Sequence, residues 1–186
     1  MIKILLVLSL VFSSLGYADT KLSVMGSLTY NTSDTDNLSS GVDEEPGTGF
    51  GLGLRALMGI DDQLHFRSGA GIVQKNFSYE FGNGGDVDFS YTYLSVPLTL
   101  YWKAGPQVGF FGGTALNAKL DDKCEVSGNN FSCPDDETIV FPAIIGFDFS
   151  FSEKLGMEIS YEYGMTETLK DTKVSSAVIS LLYHLD

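Results

Sequence analysis

The stretch Thr138-Ile139-Val140-Phe141-Pro142-Ala143-Ile144-Ile145-Gly146-Phe147-Asp148-Phe149-Ser150-Phe151 decides the fold. Ile139, Phe141, Ala143, Ile145, Phe147, Phe149 and Phe151 fall on one parity, and Gly146, Asp148 and Ser150 on the other. A repeat of two sends alternate side chains to opposite faces of an extended strand. One face here is continuous hydrocarbon; the other mixes small, polar and charged groups. The run is long enough to cross a bilayer as a tilted strand, which takes about 9–11 residues.

The same alternation recurs on both sides of this segment, over Lys21–Asn31, Thr48–Ile60, Gln63–Lys75, Asp88–Lys103, Gln107–Leu120, Leu155–Met165 and Val174–Leu185. The connections alternate in length. Asp61-Asp62, Ala104-Gly105-Pro106 and Ser152-Glu153-Lys154 read as tight turns. Thr32–Gly47, Asn76–Val87, Asp121–Glu137 and Thr166–Lys173 read as longer polar loops. This pattern predicts an all-β fold: an eight-stranded antiparallel up-and-down transmembrane β-barrel with short periplasmic turns and longer extracellular loops.

Charge placement distinguishes the two faces. The apolar phase carries no charged residue. The opposite phase carries Lys21, Arg55, His65, Arg67, Lys75, Lys103, Lys119, Asp148, Glu158, Glu162 and His184. An Arg or Lys facing lipid at the midplane costs about 2–4 kcal/mol, so the apolar phase is expected outside. A soluble lipocalin-like barrel carrying a small apolar ligand would turn that phase inward. An eight-stranded barrel is only just wide enough for side chains to fill, and the large apolar side chains fit outside more easily. Aromatic residues near the strand ends, such as Tyr30, Phe50, Tyr163, Phe66, Trp102 and Tyr183, suit interfacial girdles. Pro97 and Pro142 each remove a ladder donor, so a bulge or a water is expected at each. A further bulge near Tyr93-Leu94 would reset the phase of the fourth strand, where Phe89, Tyr91 and Tyr93 lie on the polar parity.

Inward charges must be paired or hydrogen-bonded. Arg55 and Arg67 are therefore expected to meet Asp148, Glu158 and Glu162 in an interior ion network that plugs the lumen. The outer loops are acidic, with Asp34, Asp36, Asp43, Glu44 and Glu45 in the first and Asp121, Asp122, Asp135, Asp136 and Glu137 in the third. No EF-hand spacing is present, and the reading there is solvated surface charge, with no metal or cofactor.

The chain begins Met1-Ile2-Lys3 and continues apolar to Phe12, with small residues at Gly16 and Ala18. This is the pattern of a secretory signal peptide over residues 1–18, leaving a single domain over 19–186. The formal net charge of −13 argues against nucleic acid, which requires a basic face. Export makes a disulfide the default for Cys124 and Cys133. No His lies near either, so the usual four-ligand metal site is not offered.

The segment Tyr93-Leu94-Ser95-Val96-Pro97-Leu98-Thr99-Leu100-Tyr101, followed by the turn Ala104-Gly105-Pro106 and a Gly-rich strand, resembles the eight-stranded outer-membrane-protein β-barrel superfamily with its OmpX-like and PorT-like members. The resemblance spans the mature chain and implies the fold and address read above. The chain ends Tyr183-His184-Leu185-Asp186, without the final aromatic residue such barrels usually carry. Some eight-stranded barrels modify lipid A, and the deacylase type resembles a His-x-Ser hydrolase. His65-Phe66-Arg67 and His184-Leu185-Asp186 do not complete that motif. The expected protein is a non-enzymatic, monomeric barrel among outer-membrane lipids. Its extracellular loops would meet a protein or surface ligand; a lipid A-modifying enzyme is the alternative.

Overall fold

Alternating β-branched and aromatic runs form ten strands in the computed structural model, which describes residues 20–35, 41–82, 85–126, 129–131, 133, 137–169 and 171–185. The proposed signal peptide lies outside the described residues. The strands are β1 Thr20–Thr35, β2 Val42–Gly59, β3 Leu64–Phe81, β4 Gly85–Lys103, β5 Val108–Val126, β6 Asn129–Phe131, β7 Ile139–Val140, β8 Pro142–Ser150, β9 Leu155–Gly164 and β10 Thr172–Leu185. All pairings are antiparallel. The ring runs β1-β2-β3-β4-β5-β8-β9-β10 and closes by β10 on β1. Closure leaves no edge at membrane depth, as a backbone without water requires. β7 continues the line of β8 along β5, and β6 forms a short ladder with the far end of β5.

Three tight turns share one end with Thr20 and Leu185. Local side chains close two of them. Asp61 Oδ1 accepts from the amides of Gln63 and Leu64, and Ser152 Oγ from those of Lys154 and Leu155. The other end is taller than the sequence reading placed it. Most of Thr32–Gly47 and Asn76–Val87 is strand, because β1 to β5 continue past the apolar belt.

The alternation inverts along the way. Below the row Phe50, Ile72 and Leu94, large apolar groups point outward: Leu52 and Leu54 are exposed, as are Leu98 and Leu100. Above it, the outward positions are polar, as at Ser78, Glu80, Asp86 and Asp88. The inward positions there are aromatic and buried: Phe77, Tyr79, Phe89 and Tyr91. Hydrocarbon facing out below and water facing out above is what one sheet shows where it leaves a bilayer.

Two bulges accommodate this, one of them at the expected level beside Tyr93 but on the neighbouring strand. β2 carries one extra residue against β3 between Pro46 and Gly51. The other lies at Leu120 on β5, because Thr92 pairs with Asp121 while Tyr93 pairs with Lys119. The phase therefore resets in β5, which turns Cys124 inward. β4 keeps its phase, and Phe89, Tyr91 and Tyr93 are lumenal throughout. At Pro97 the register on β5 continues unshifted, and only the assigned pairing with β3 lapses between Ser68 and Gly71. Pro142 interrupts the sixth crossing at Phe141, yet Ile139↔Ala118 and Ala143↔Thr114 stay in one register. Each proline forfeits a donor locally. A slip would flip every later side chain to the wrong solvent, so register is retained.

Candidate functional site

The lumen is stacked in layers from the turn end to the loop end. Lys21, His65, Lys103 and His184 surround a vestibule of about 660 Å³ at the turn end. At its floor Arg55 donates through Nη1 to Asp148 Oδ2 and Glu158 Oε1, both at 2.6 Å. Arg67 donates to the other face of Glu158, from Nη2 to Oε2 at 2.6 Å and from Nε to Oε1 at 3.1 Å. The four side chains are nearly inaccessible. Their charges cancel, which is the condition for keeping ions out of water.

Neighbours from other strands hold this layer in place. Tyr101 Oη donates to Asp148 Oδ1 at 3.0 Å, the Arg67 guanidinium lies 4.2 Å from the centre of the Phe111 ring, and Ser23 Oγ sits 2.8 Å from His184 Nδ1. Inward glycines make room for the rings: a Cβ on Gly109 would meet the Tyr101 ring, and one on Gly146 would meet that of Phe111. Both positions are close approaches that only glycine tolerates.

Glu162 joins neither arginine. It pairs with Lys75 at 2.6 Å, nearer the loop end. Strand tilt explains the change of partner, because a stagger around the ring sets which inward residues share a level. A cavity of about 50 Å³ separates the two ionic layers, with Ser27, Ser68, Ser160 and Ser180 in its wall.

An aromatic layer that the sequence reading missed covers Lys75. Phe77, Tyr79, Phe89, Tyr91 and Tyr93 pack with Cys124, Val140, Leu169 and Val174. Phe77 stacks on Phe89 at 5.2 Å between ring centroids. The signal was present, since all five rings lie on the otherwise polar parity. Thr35, Tyr79 and Thr172 join hydroxyls above, at 2.7, 3.0 and 3.3 Å.

Cys124 and Cys133 are disulfide-bonded, with Cα atoms 5.3 Å apart, and the bridge packs on this layer. Changing both to serine is expected to lower stability by about 2–3 kcal/mol, the loop-closure value for so short a loop. Urea unfolding of the variant, and of the native protein with reductant, should give the same decrement. No change in either would assign the bridge no part in holding the cap.

Among the described residues no group of three or more His, Cys, Asp or Glu could hold a metal ion.

A family model described as outer membrane protein beta-barrel domain matches residues 4–184. The structure is similar to that of Ail, the attachment invasion locus protein of Yersinia pestis, in complex with the heparin analogue sucrose octasulfate. The TM-score is 0.59 at 18% identity, covering 90% of this chain and 99% of that one. It is also similar to Neisserial surface protein A (NspA), with a TM-score of 0.55 at 11% identity, covering 89% of this chain and 98% of that one. At such identities the likeness is one of fold, and function must be argued from the site. No curated protein sequence matches the chain.

Proposed function

Because the chain belongs to the outer membrane protein β-barrel domain family, we propose that it serves in the outer membrane as a closed, non-enzymatic barrel that meets partners at its extracellular end. In this reading residues 1–18 direct export, the mature chain starts at Asp19, and a monomer is the working unit. The observation that carries it is the stack of layers across the lumen: the Arg55–Arg67–Asp148–Glu158 cluster, the Lys75–Glu162 pair and the aromatic cap. A filled lumen leaves solutes no path and makes the loop end the surface open to partners.

That end is acidic, with Asp34, Asp43, Glu45, Glu80, Asp86 and Asp88 exposed or half-exposed there. Ail was crystallised with a polyanion. The charge on this chain favours a cationic partner instead. The Ser23–His184 pair does not favour the enzyme reading. Ser23 is 1% exposed and faces the lumen, where lipid does not reach, and a nucleophile needs an accessible position as well as a base.

Two measurements test the proposal. Purified barrel in a planar bilayer should give no steady conductance, and an ohmic conductance would overturn the closed lumen. Cells displaying the protein should bind polylysine and not heparin. Neutralising Asp43, Glu45, Asp86 and Asp88 should remove the polylysine binding, whereas capture of heparin would overturn the charge preference.

A further inference from the structure

We propose that the lumen holds a binding site for a small cluster of water, set between the Arg55–Glu158 layer and the Lys75–Glu162 pair and hydrogen-bonded to both. The cavity there measures about 50 Å³, and Glu158 from the one layer and Glu162 from the other both reach it. A buried water needs about 10–15 Å³ of such space, so the cavity takes about three. The ionic groups on its two sides cancel, Arg55, Arg67 and Lys75 against Asp148, Glu158 and Glu162. No counter-ion is called for, and the ligand is neutral.

Three kinds of polar group open onto this space. The first is hydroxyl. Ser27, Ser95, Ser160 and Ser180 come from β1, β4, β9 and β10, and all four line the cavity. None of these hydroxyls has a protein partner among the described residues. Ser180 is 3% exposed and Ser27 8%, so bulk water does not serve them, and a buried hydroxyl without a partner is costly.

The second is backbone carbonyl. Gly53 and Gly69 face inward on β2 and β3 and leave the wall bare: a Cβ on Gly69 would run into the oxygen of Leu54, and one on Gly53 would lie 2.8 Å from that of Ala70. Leu54 and Ala70 accordingly line the cavity, and a carbonyl engaged in a ladder keeps a second lone pair for water. The third is the ladder gap at Pro97. Pairing of β3 with β4 lapses between Ser68↔Leu98 and Gly71↔Ser95, where Pro97 has no N–H to offer. Ala70, Ser95 and Pro97 all border the cavity. Lipid cannot supply the missing partner. A lumenal water does so without a register shift, and the β4–β5 ladder shows none at Pro97. Water alone donates to carboxylates and carbonyls, accepts from guanidiniums and hydroxyls, and fits.

Crystals of the refolded barrel should show about three ordered waters in the cavity. They should lie within hydrogen-bond distance of Ser160 or Ser180, of Glu158 or Glu162, and of the backbone at Ala70. Pressurised xenon, which settles in dry apolar cavities, should find no site there. In Ser160→Val/Ser180→Val two hydroxyls give way to hydrocarbon. The urea midpoint in lipid vesicles should then fall, whereas filling a dry cavity would raise it. Heat-modifiable gel mobility verifies that the variant is folded. Should it not fold, the native crystals with and without xenon decide alone. A cavity free of ordered solvent, xenon bound within it, or a folded variant more stable than the native barrel would overturn the proposal.

Discussion

Glu158→Ala is expected to lower the unfolding free energy of the barrel by about 3–5 kcal/mol, the cost of removing one partner from a buried ion cluster. Glu158 accepts from both guanidiniums, with three nitrogen–oxygen distances of 2.6 to 3.1 Å, and is 2% exposed. Without it, Arg55 retains Asp148, while Arg67 keeps only a 3.4 Å contact from Nη1 to the Thr99 hydroxyl and the face of Phe111. An unmatched positive charge would then sit inside a narrow lumen. Removing the matching cation as well, in Arg67→Leu/Glu158→Ala, should recover part of the loss, because charge balance and not the carboxylate itself is what the layer needs. Glu162→Ala should cost less, since that side chain is 15% exposed, against 3% for Glu158, and pairs with one cation where Glu158 serves two. Urea titrations of the refolded barrel in lipid vesicles measure all three. A Glu158→Ala barrel as stable as the native one would remove the ion cluster from the account of stability.

Leu54→Arg is expected to destabilise the barrel by about 2–4 kcal/mol, the cost of an arginine facing the middle of a bilayer. Leu54 is 56% exposed on β2, while the next residue, Arg55, is 5% exposed and ion-paired. One step along the strand thus separates a position where arginine is required from one where it is excluded. Ile179→Arg on β10, whose native side chain is 52% exposed, should behave in the same way. The same titrations measure the decrement. Little effect at both positions would mean that the apolar phase does not look at hydrocarbon.

The outward face was legible in the sequence because a bilayer presents one solvent to every crossing. Leu52, Leu54, Ile145 and Ile179 had to be apolar whatever their neighbours, and period two displays them. The cysteine pair was legible from compartment and spacing. The partner of Glu162 was not, because inward neighbours come from strands far apart in sequence at levels set by the stagger of the ring. Nothing local distinguishes Lys75 from Arg67 as its match. The projecting ends of β1 to β5 were hidden for a different reason. Above the Ile72–Leu94 row the solvent changes from lipid to water, so strands there show polar outward positions and read as loops. The same change made Phe89, Tyr91 and Tyr93 look like a phase reset in β4. They are the lumenal cap of an unbroken strand, and the reset sits at Leu120 on β5.

The central claim is that this ring of strands stands in a bilayer with its apolar phase against lipid, and the single tryptophan of the chain tests it most directly. Trp102 lies on that phase near the turn end and is 52% exposed. Protein refolded into vesicles of brominated phospholipid should show strong quenching of its emission. Bromines near the headgroup end of the acyl chain should quench more than bromines near its terminus, because an aromatic girdle sits at the interface. Emission that brominated lipid leaves unchanged, while a water-soluble quencher suppresses it, would contradict the account.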